Sequence, residues 1–295
     1  MLVGCSSEPL DLLELPGADF YPESITATPD GALFVTSLTT GRVVRFEPDG
    51  TEATTVVSGD DFPGATGHLV DEASATLYLC AVDVAQLTTG PRSEVRAYDP
   101  ATGQWRRSYE LPGLAICNDL ARDRSGDLYV TDSLGRIFTL RAGAAALALW
   151  SDSPRLAVSG GFGADGIAID SRGHVYVNTF SDGRLLRIPI AADGGSGPVE
   201  ELAVTPPLTN PDGMRMQGDD TLIVVDGAGQ LVAVDVGAGG TAAASRVLRS
   251  GLVMPTSVAI TGSGYWVTEG QVGVLLGQVE GPPSLPFVVR RVGGD

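Results

Sequence analysis

The sequence contains no lysine, since all 19 cationic side chains among its 295 residues are arginines. This absence excludes enzymes that need a Schiff-base lysine and phosphate-binding loops that need a lysine. The two histidines, His68 and His174, are too few for a histidine-rich metal site. The three cysteines form no CxxC pair, so we expect neither a zinc site nor a disulfide framework. Any metal ligands must therefore be mostly oxygen atoms.

Positive charge is scarce as well. The chain has 36 acidic residues against 19 basic ones, which gives a formal net charge of −17. A nucleic-acid partner requires a cationic face, so we expect none. The apolar runs are too short for a transmembrane helix, so we expect no membrane-spanning segment. A small-molecule substrate or ligand is the expected partner.

The first residues carry one targeting signal. Leu2-Val3-Gly4-Cys5 has the form of a bacterial lipoprotein cleavage box, and a polar stretch follows it. A complete signal has a basic and then an apolar stretch upstream, whereas only four residues precede Cys5. Two interpretations stay open: a lipoprotein tethered outside the cytoplasm if the box is genuine, and a cytoplasmic protein if the match is chance.

A repeat of about 47 residues runs through nearly the whole chain. Its marker is a pair of apolar or aromatic residues inside a short β-rich run. The six copies of the pair are Leu33-Phe34, Leu77-Tyr78, Leu128-Tyr129, Val175-Tyr176, Leu222-Ile223 and Tyr265-Trp266. Turn signals such as Pro29-Asp30-Gly31 separate the β-rich runs, and no stretch shows a sustained helical period.

Six repeats of four short strands predict an all-β fold, a six-bladed β-propeller with four antiparallel strands per blade. A β-sandwich with accidental periodicity is the alternative. We expect the propeller to span residues 10–295 and residues 1–9 to form an N-terminal tail. Either residues 10–15 or residues 286–292 should complete the last blade.

A polar position recurs at the start of the first strand of each copy. It is occupied by Glu23, Gly67, Asn118, Asp165, Asp212 and Thr256. First strands line the channel of a propeller, so we expect these residues to form one ring, called here the entrance ring. A second layer is expected close to it, fourteen residues further on in most copies, at Ser37, Ala81, Asp132, Thr179, Asp226 and Glu269.

The entrance ring brings together three carboxylates and one carboxamide. Like charges at close range repel unless something compensates them, and no arginine lies in either layer. A divalent cation is the simplest compensation, and oxygen ligands favour Ca²⁺ or Mg²⁺. The alternative is that these side chains cap turns, because Asp165 and Asp212 both precede glycine.

These motifs resemble the SMP-30/gluconolactonase/LRE family over nearly the whole chain. The resemblance rests on Glu23, Asn118-Asp119, Asp165-Gly166-Ile167 and Pro211-Asp212-Gly213-Met214. It implies a six-bladed propeller with one catalytic metal held by a Glu, an Asn and an Asp, and a second Asn near the substrate. It also implies hydrolysis of lactones and, in some members, of organophosphates.

The resemblance assigns metal binding to Glu23 and Asp212 and a substrate-side role to Asn118, which we also expect within the same coordination sphere. Asp165 stands where the family has a metal-binding Asn, so it is a departure that adds negative charge. Ile116 replaces an arginine that binds sugar in animal members, which indicates a more apolar ligand than an aldonolactone.

Three other features have weaker interpretations. His68 follows the entrance ring by one residue and is either an acid-base group or a packed or exposed side chain. Residues 85–93 form either a lid or a surface loop. The sequence from Gly161 to Gly166 matches GxGxxG, but a strand rather than a helix follows, so dinucleotide binding is rejected.

The sequence thus predicts a metal-dependent hydrolase of lactone or ester type, an enzyme with Asp212 and Asn118 as catalytic residues. Its expected metal ligands are Glu23, Asn118, Asp165 and Asp212, with Ca²⁺ as the expected ion and Mg²⁺ or another divalent ion as alternatives. Two other functions stay open: a non-catalytic ligand-binding propeller with a structural ion, and a family member recruited to biosynthetic chemistry.

Overall fold

The computed structural model describes residues 11–87, 89–237 and 239–293. The predicted tail, residues 1–9, lies outside these ranges. Twenty-four strands dominate the described residues, and the single α-helix, α1 (Val272–Leu275), has four residues. In the described ranges no helix is long and apolar enough to cross a membrane. The expectation of an all-β, propeller-like fold is confirmed.

The strands follow one another in short antiparallel sheets. A single strand, β1 (Leu12–Glu14), precedes the first sheet. The first sheet is β2 (Pro22–Ala27), β3 (Leu33–Ser37), β4 (Val43–Phe46) and β5 (Ala53–Val57). The second is β6 (Gly64–Asp71), β7 (Thr76–Val82), β8 (Glu94–Tyr98) and β9 (Trp105–Glu110). The third is β10 (Cys117–Arg122), β11 (Leu128–Asp132), β12 (Arg136–Leu140) and β13 (Ala148–Ser151).

The next eight strands form one sheet. Its first half is β14 (Ala164–Ile169), β15 (His174–Thr179), β16 (Arg184–Pro189) and β17 (Glu200–Thr205). Its second half is β18 (Pro211–Gln217), β19 (Thr221–Asp226), β20 (Gln230–Asp235) and β21 (Ala242–Ser250). The halves join where β17 and β21 pair in parallel over three residues. The strand pairing therefore gives one eight-stranded sheet here rather than two separate ones.

The last sheet contains both ends of the described chain. It consists of β22 (Pro255–Thr261), β23 (Gly264–Glu269) and β24 (Val288–Val292), with β1 as its outermost strand. Both predicted closing segments are therefore used, because β24 supplies the third strand and β1 the fourth. The N-terminal strand closes the arrangement by pairing Leu13 with Val289.

The first strands of the repeats meet around one axis. Each of β2, β6, β10, β14 and β18 contacts the next, and β22 contacts β2, so these strands form a closed ring. Burial follows the distance from this ring. All residues of β3 and β11 are buried, whereas β9 on the rim is mostly exposed. Apolar, β-branched second strands pack between neighbouring sheets and hold the ring in place.

The structure corrects one expectation about cysteine. Cys80 of β7 and Cys117 of β10 form a disulfide that joins the second and third sheets, with a Cα–Cα distance of 5.4 Å. Both residues are fully buried. The sequence offered no signal for this pair, because the two cysteines lie 37 residues apart and only the packing of neighbouring sheets brings them together. The disulfide fixes the start of β10, where Asn118 lies.

Candidate active site

An irregularity of the backbone marks the entrance ring. In all six first strands the pairing with the second strand shifts register at this point, as in a β-bulge. The shifts lie between Pro22 and Ile25, Ala65 and His68, Cys117 and Leu120, Ala164 and Ile167, Pro211 and Met214, and Pro255 and Ser257. Bulges redirect side chains. The same distortion therefore redirects each entrance-ring residue, while the other residues of its strand stay paired.

Side chains of neighbouring sheets hold the bulges in position. The backbone carbonyl oxygens of Glu23, Asp165 and Asp212 accept hydrogen bonds from Thr268 at 3.5 Å, Thr131 at 2.5 Å and Asn178 at 2.6 Å. Each donor lies on the second strand of the preceding sheet or half-sheet. The candidate residues are thus fixed across sheet boundaries, which limits their movement.

Most of the entrance ring faces one small space. Glu23, Gly67, Asn118, Asp212 and Thr256 line a cavity of about 10 Å³, the room of one water molecule. Asp165 joins this group through its Oδ2 atom, which accepts a hydrogen bond of 2.9 Å from Asn118 Nδ2. The structure therefore brings together all four residues predicted as ligands.

Gly67 is the member of the ring without a side chain. A Cβ atom at this position would collide with the Asn118 carbonyl oxygen and with Asp119. The missing side chain lets β6 and β10 approach closely at the cavity.

Burial and mutual repulsion raise the pKa values of the three carboxyl groups. Burial is the largest cause for Glu23, followed by the charges of Asp119 and Asp165. Burial also raises the pKa of Asp165 to about 7. For Asp212, burial acts first and the charges of Asp165 and Glu23 add to it. At neutral pH these groups share protons unless a cation compensates their charge.

Arg215 is a cation that the sequence analysis missed. It lies on β18, three residues after Asp212, and its Nη1 atom is 2.8 Å from Asp119 Oδ2. Its charge lowers the pKa of Glu23, against the larger effect of burial. Neither predicted layer contains an arginine, yet Arg215 reaches the same channel from a position further along the strand. An arginine between two methionines, Met214 and Met216, was the available signal.

His68 is buried beside this cation. Neither of its imidazole nitrogens has a hydrogen-bond partner among the described residues. Burial first, and then the charge of Arg215, lower the pKa of His68 to about 3. Of the two interpretations drawn from the sequence, the packed side chain matches this environment, and the ring is neutral at physiological pH.

The second layer holds loops around the entrance. Its three carboxylates bind backbone N–H groups of the loops that precede the first strands, rather than facing the cavity. Asp132 accepts from Ile116 at 2.8 Å, Asp226 from Thr209 at 2.7 Å and Glu269 from Val253 at 3.2 Å. Arg136 and Arg290 neutralise two of them. These residues therefore shape the loops around the entrance.

A family model described as SMP-30/Gluconolactonase/LRE-like region matches residues 22–265. The chain belongs to this family. The match covers every residue of the entrance ring, so the resemblance drawn from the sequence motifs is confirmed. A search of curated proteins finds no significant match.

Solved structures share the family's fold at low sequence identity. Luciferin-regenerating enzyme superposes with a TM-score of 0.68 at 12% identity, covering 96% of this chain and 95% of that one. Regucalcin from Agrobacterium tumefaciens, described as a calcium-binding protein, gives 0.61 at 16%, covering 95% and 93%. Virginiamycin B lyase from Staphylococcus aureus, solved as an inactive variant with quinupristin, gives 0.65 at 16%, covering 88% and 80%. At these identities the likeness establishes the fold alone, since the three proteins differ in what they do.

The donor set of this SMP-30-like chain fits a hard cation. Glu23, Asn118, Asp165 and Asp212 offer only oxygen ligands, and the buried Asp165 Oδ1 has no hydrogen-bond partner among the described residues. Within residues 11–87, 89–237 and 239–293, no three His, Cys, Asp or Glu side chains form a preassembled metal site. Binding would therefore require the carboxylates to reorient around the cavity.

Two departures from the family pattern have structural consequences. Asp165 in place of the family's Asn adds a carboxyl group to the buried cluster. Ile116 is buried, and its backbone N–H donates to Asp132 rather than facing the cavity.

The segment at residues 85–93, interpreted from the sequence as a lid or a surface loop, belongs to the second sheet. It starts within a short 3-10 helix, Val84–Gln86, and Thr88 lies outside the described residues.

Proposed function

We propose that the protein is a six-bladed propeller in which the eight-stranded sheet counts as two blades. The parallel contact between β17 and β21 spans only three residue pairs, whereas each half of the sheet has four antiparallel strands of its own. The closed ring of six first strands supports this count. Residues 10–295 would then form one domain.

We further propose that it is a metal-dependent hydrolase of lactones or esters. The observation that carries this proposal is the convergence of Glu23, Asn118 and Asp212 on one buried cavity, with Asp165 bound to Asn118. Three buried carboxyl groups with raised pKa values are a costly arrangement without a function. Membership of the SMP-30/gluconolactonase/LRE-like family supports a lactonase-like or related activity.

Glu23, Asp165 and Asp212, with Asn118, would hold a divalent cation, for which we propose Ca²⁺. When bound, such an ion polarises a carbonyl group and lowers the pKa of a water molecule. Asp212 would accept the proton of the attacking water, because its carboxylate lines the cavity in which that water would lie. Asn118 would donate to a substrate oxygen the amide N–H that it gives to Asp165 in this structure, and would so orient the reacting carbonyl.

The size of the cavity favours a second candidate, a non-catalytic propeller. A space of about 10 Å³ accommodates one ion or water but no lactone ring. Arg215 already supplies one positive charge in the channel. In this alternative the polar ring only stabilises the axis, and ligands bind elsewhere on the surface.

The disulfide bears on the location of the protein. Disulfides persist in oxidising compartments and are rare in the cytoplasm of most organisms. The Cys80–Cys117 bond therefore favours the extracytoplasmic alternative of the two that the first residues left open.

Hydrolysis of γ- and δ-lactones and aryl esters, measured with added Ca²⁺ or Mg²⁺, tests the proposal. Asp212→Asn removes the base and one charge, and general-base removal costs about 10²- to 10⁴-fold in rate. Asp165→Asn restores the family's residue, so activity should survive or rise. Asp152→Asn, an exposed acid away from the channel, is the matched control.

Two results would count against the hydrolase. An absence of metal-dependent turnover on every substrate would favour the non-catalytic propeller. Turnover that Asp212→Asn retains in full would leave an enzyme but remove Asp212 as its base. All three variants must be fully folded at the assay temperature for either conclusion.

A further inference from the structure

A larger cleft lies away from the candidate active site, between the second and third sheets. It has a volume of about 240 Å³ and is lined by Tyr78, Arg107 and Tyr109 on one side and by Arg122, Leu128 and Arg141 on the other. Asn118 begins β10 at the entrance ring, whereas Arg122 ends the same strand. The cleft is therefore at the opposite end of β10 from the active-site cavity.

Three arginines line this cleft, and they differ in their partners. Arg122 pairs with Asp71 at 3.2 Å, and Arg141 pairs with Asp127 at 2.6 Å and has a second aspartate nearby. Arg107 donates to a backbone carbonyl oxygen at 3.2 Å and has no carboxylate within ion-pair distance among the described residues. Arg107 is therefore the cation of the cleft that is left to bind an anion.

The other groups in the cleft can bind both parts of an amphipathic anion. The guanidinium of Arg107 lies 5.1 Å from the centre of the Tyr109 ring, which orients it. The Tyr78 hydroxyl is protonated at neutral pH, as in any tyrosine, and can donate a hydrogen bond; burial, and next the nearby Tyr109, raise its pKa further. Leu128 and Leu140 are buried beneath these groups and give the cleft an apolar floor.

We propose that this cleft binds a compact organic anion, with its oxyanion on Arg107 and the Tyr78 hydroxyl and its apolar body on Leu128 and Leu140. Guanidinium groups bind carboxylates and phosphates through paired N–H donors, so both head groups share the required chemistry. The volume limits the ligand to about the size of one aromatic or sugar ring. The proposal does not depend on the hydrolase activity, because the two sites share no residue.

Isothermal titration of the full chain with benzoate, phenyl phosphate and benzamide tests this proposal. Benzoate and phenyl phosphate should bind and benzamide should not, because benzamide keeps the ring but lacks the charge. The tighter of the two anions identifies the head group. Arg107→Gln should weaken anion binding about tenfold or more, since charged hydrogen bonds are the strong ones. Tyr78→Phe keeps the ring and should cause a smaller loss.

Arg124→Gln is the matched control, because Arg124 is exposed on the neighbouring turn and does not line the cleft. It should leave binding unchanged. Equal binding of benzoate and benzamide, or unchanged affinity of Arg107→Gln, would overturn the proposal. An equal loss in Arg107→Gln and Arg124→Gln would also overturn it, because the effect would then come from the general field of the protein.

Discussion

Reduction of the Cys80–Cys117 disulfide is expected to lower the free energy of unfolding by about 4 kcal/mol. The bond closes a loop with a sequence separation of 37 residues, and the chain-entropy relation gives about 4 kcal/mol for a loop of this length. For 295 residues, the entropy of unfolding near the midpoint is about 0.6 kcal/mol per kelvin, so the melting temperature should fall by about 6 °C.

Urea unfolding of the oxidised and the reduced chain measures this loss. Both sulfur atoms belong to fully buried residues, so the chain must be reduced while unfolded and then refolded in reductant. The double variant Cys80→Ala and Cys117→Ala is the control. Its stability should not respond to reductant, and its deficit beyond that of the reduced wild type reports the lost packing of two sulfur atoms.

Two observations would refute this reasoning. If the oxidised and reduced chains unfold at the same urea concentration, the cross-link does not stabilise the protein by restricting its unfolded state. If peptide mapping without reductant finds Cys80 and Cys117 as alkylated free thiols, the disulfide itself does not form.

Three further predictions concern the channel. Arg215→Met leaves the carboxylate of Asp119 buried without its ion-pair partner, so the free energy of unfolding should fall by about 3 kcal/mol. In a double-mutant cycle measured by urea unfolding, adding Asp119→Leu should recover part of this loss. The pKa of Asp165 is about 7 in the folded chain against an ordinary 3.8, so between these values the folded chain binds a proton that the unfolded chain does not. In chelator, the free energy of unfolding should therefore fall as pH rises from about 4 to about 7. This fall should be smaller in Asp165→Asn. Chelator should also lower the melting temperature at neutral pH, and Ca²⁺ or Mg²⁺ should restore it, since the ion binds only the folded state. A melting temperature that changes with neither would favour turn-capping carboxylates.

The repeat made the β-propeller predictable because each of its signals is local. An apolar pair, a turn and a recurring polar position lie within one hairpin, so their spacing alone places Glu23, Asn118, Asp165 and Asp212 at equivalent points of the first strands. The bulges at these points were not predictable, because a register shift depends on both strands of the pair and leaves no residue type of its own.

The features that escaped prediction depend on contacts between sheets. Arg215, in the second half of the eight-stranded sheet, reaches Asp119 in the third sheet, and Cys80 of the second sheet meets Cys117 of the third. Neither of these contacts can be deduced from the period of the repeat. The role of Asp132 was not predicted, because a carboxylate that faces a cavity and one that holds a loop can occupy the same sequence position.

The parallel pairing of β17 with β21 has a consequence for how the proposed site would adapt to a cation. The two halves of the eight-stranded sheet carry Asp165 and Asp212 at the axis, and their outer edges are hydrogen-bonded to each other at the rim. These halves should move as one rigid body. Glu23 lies on the first sheet, whose rim strand β5 pairs only with β4. We therefore expect small movements of Glu23, rather than of Asp165 or Asp212, to accommodate cations of different radius.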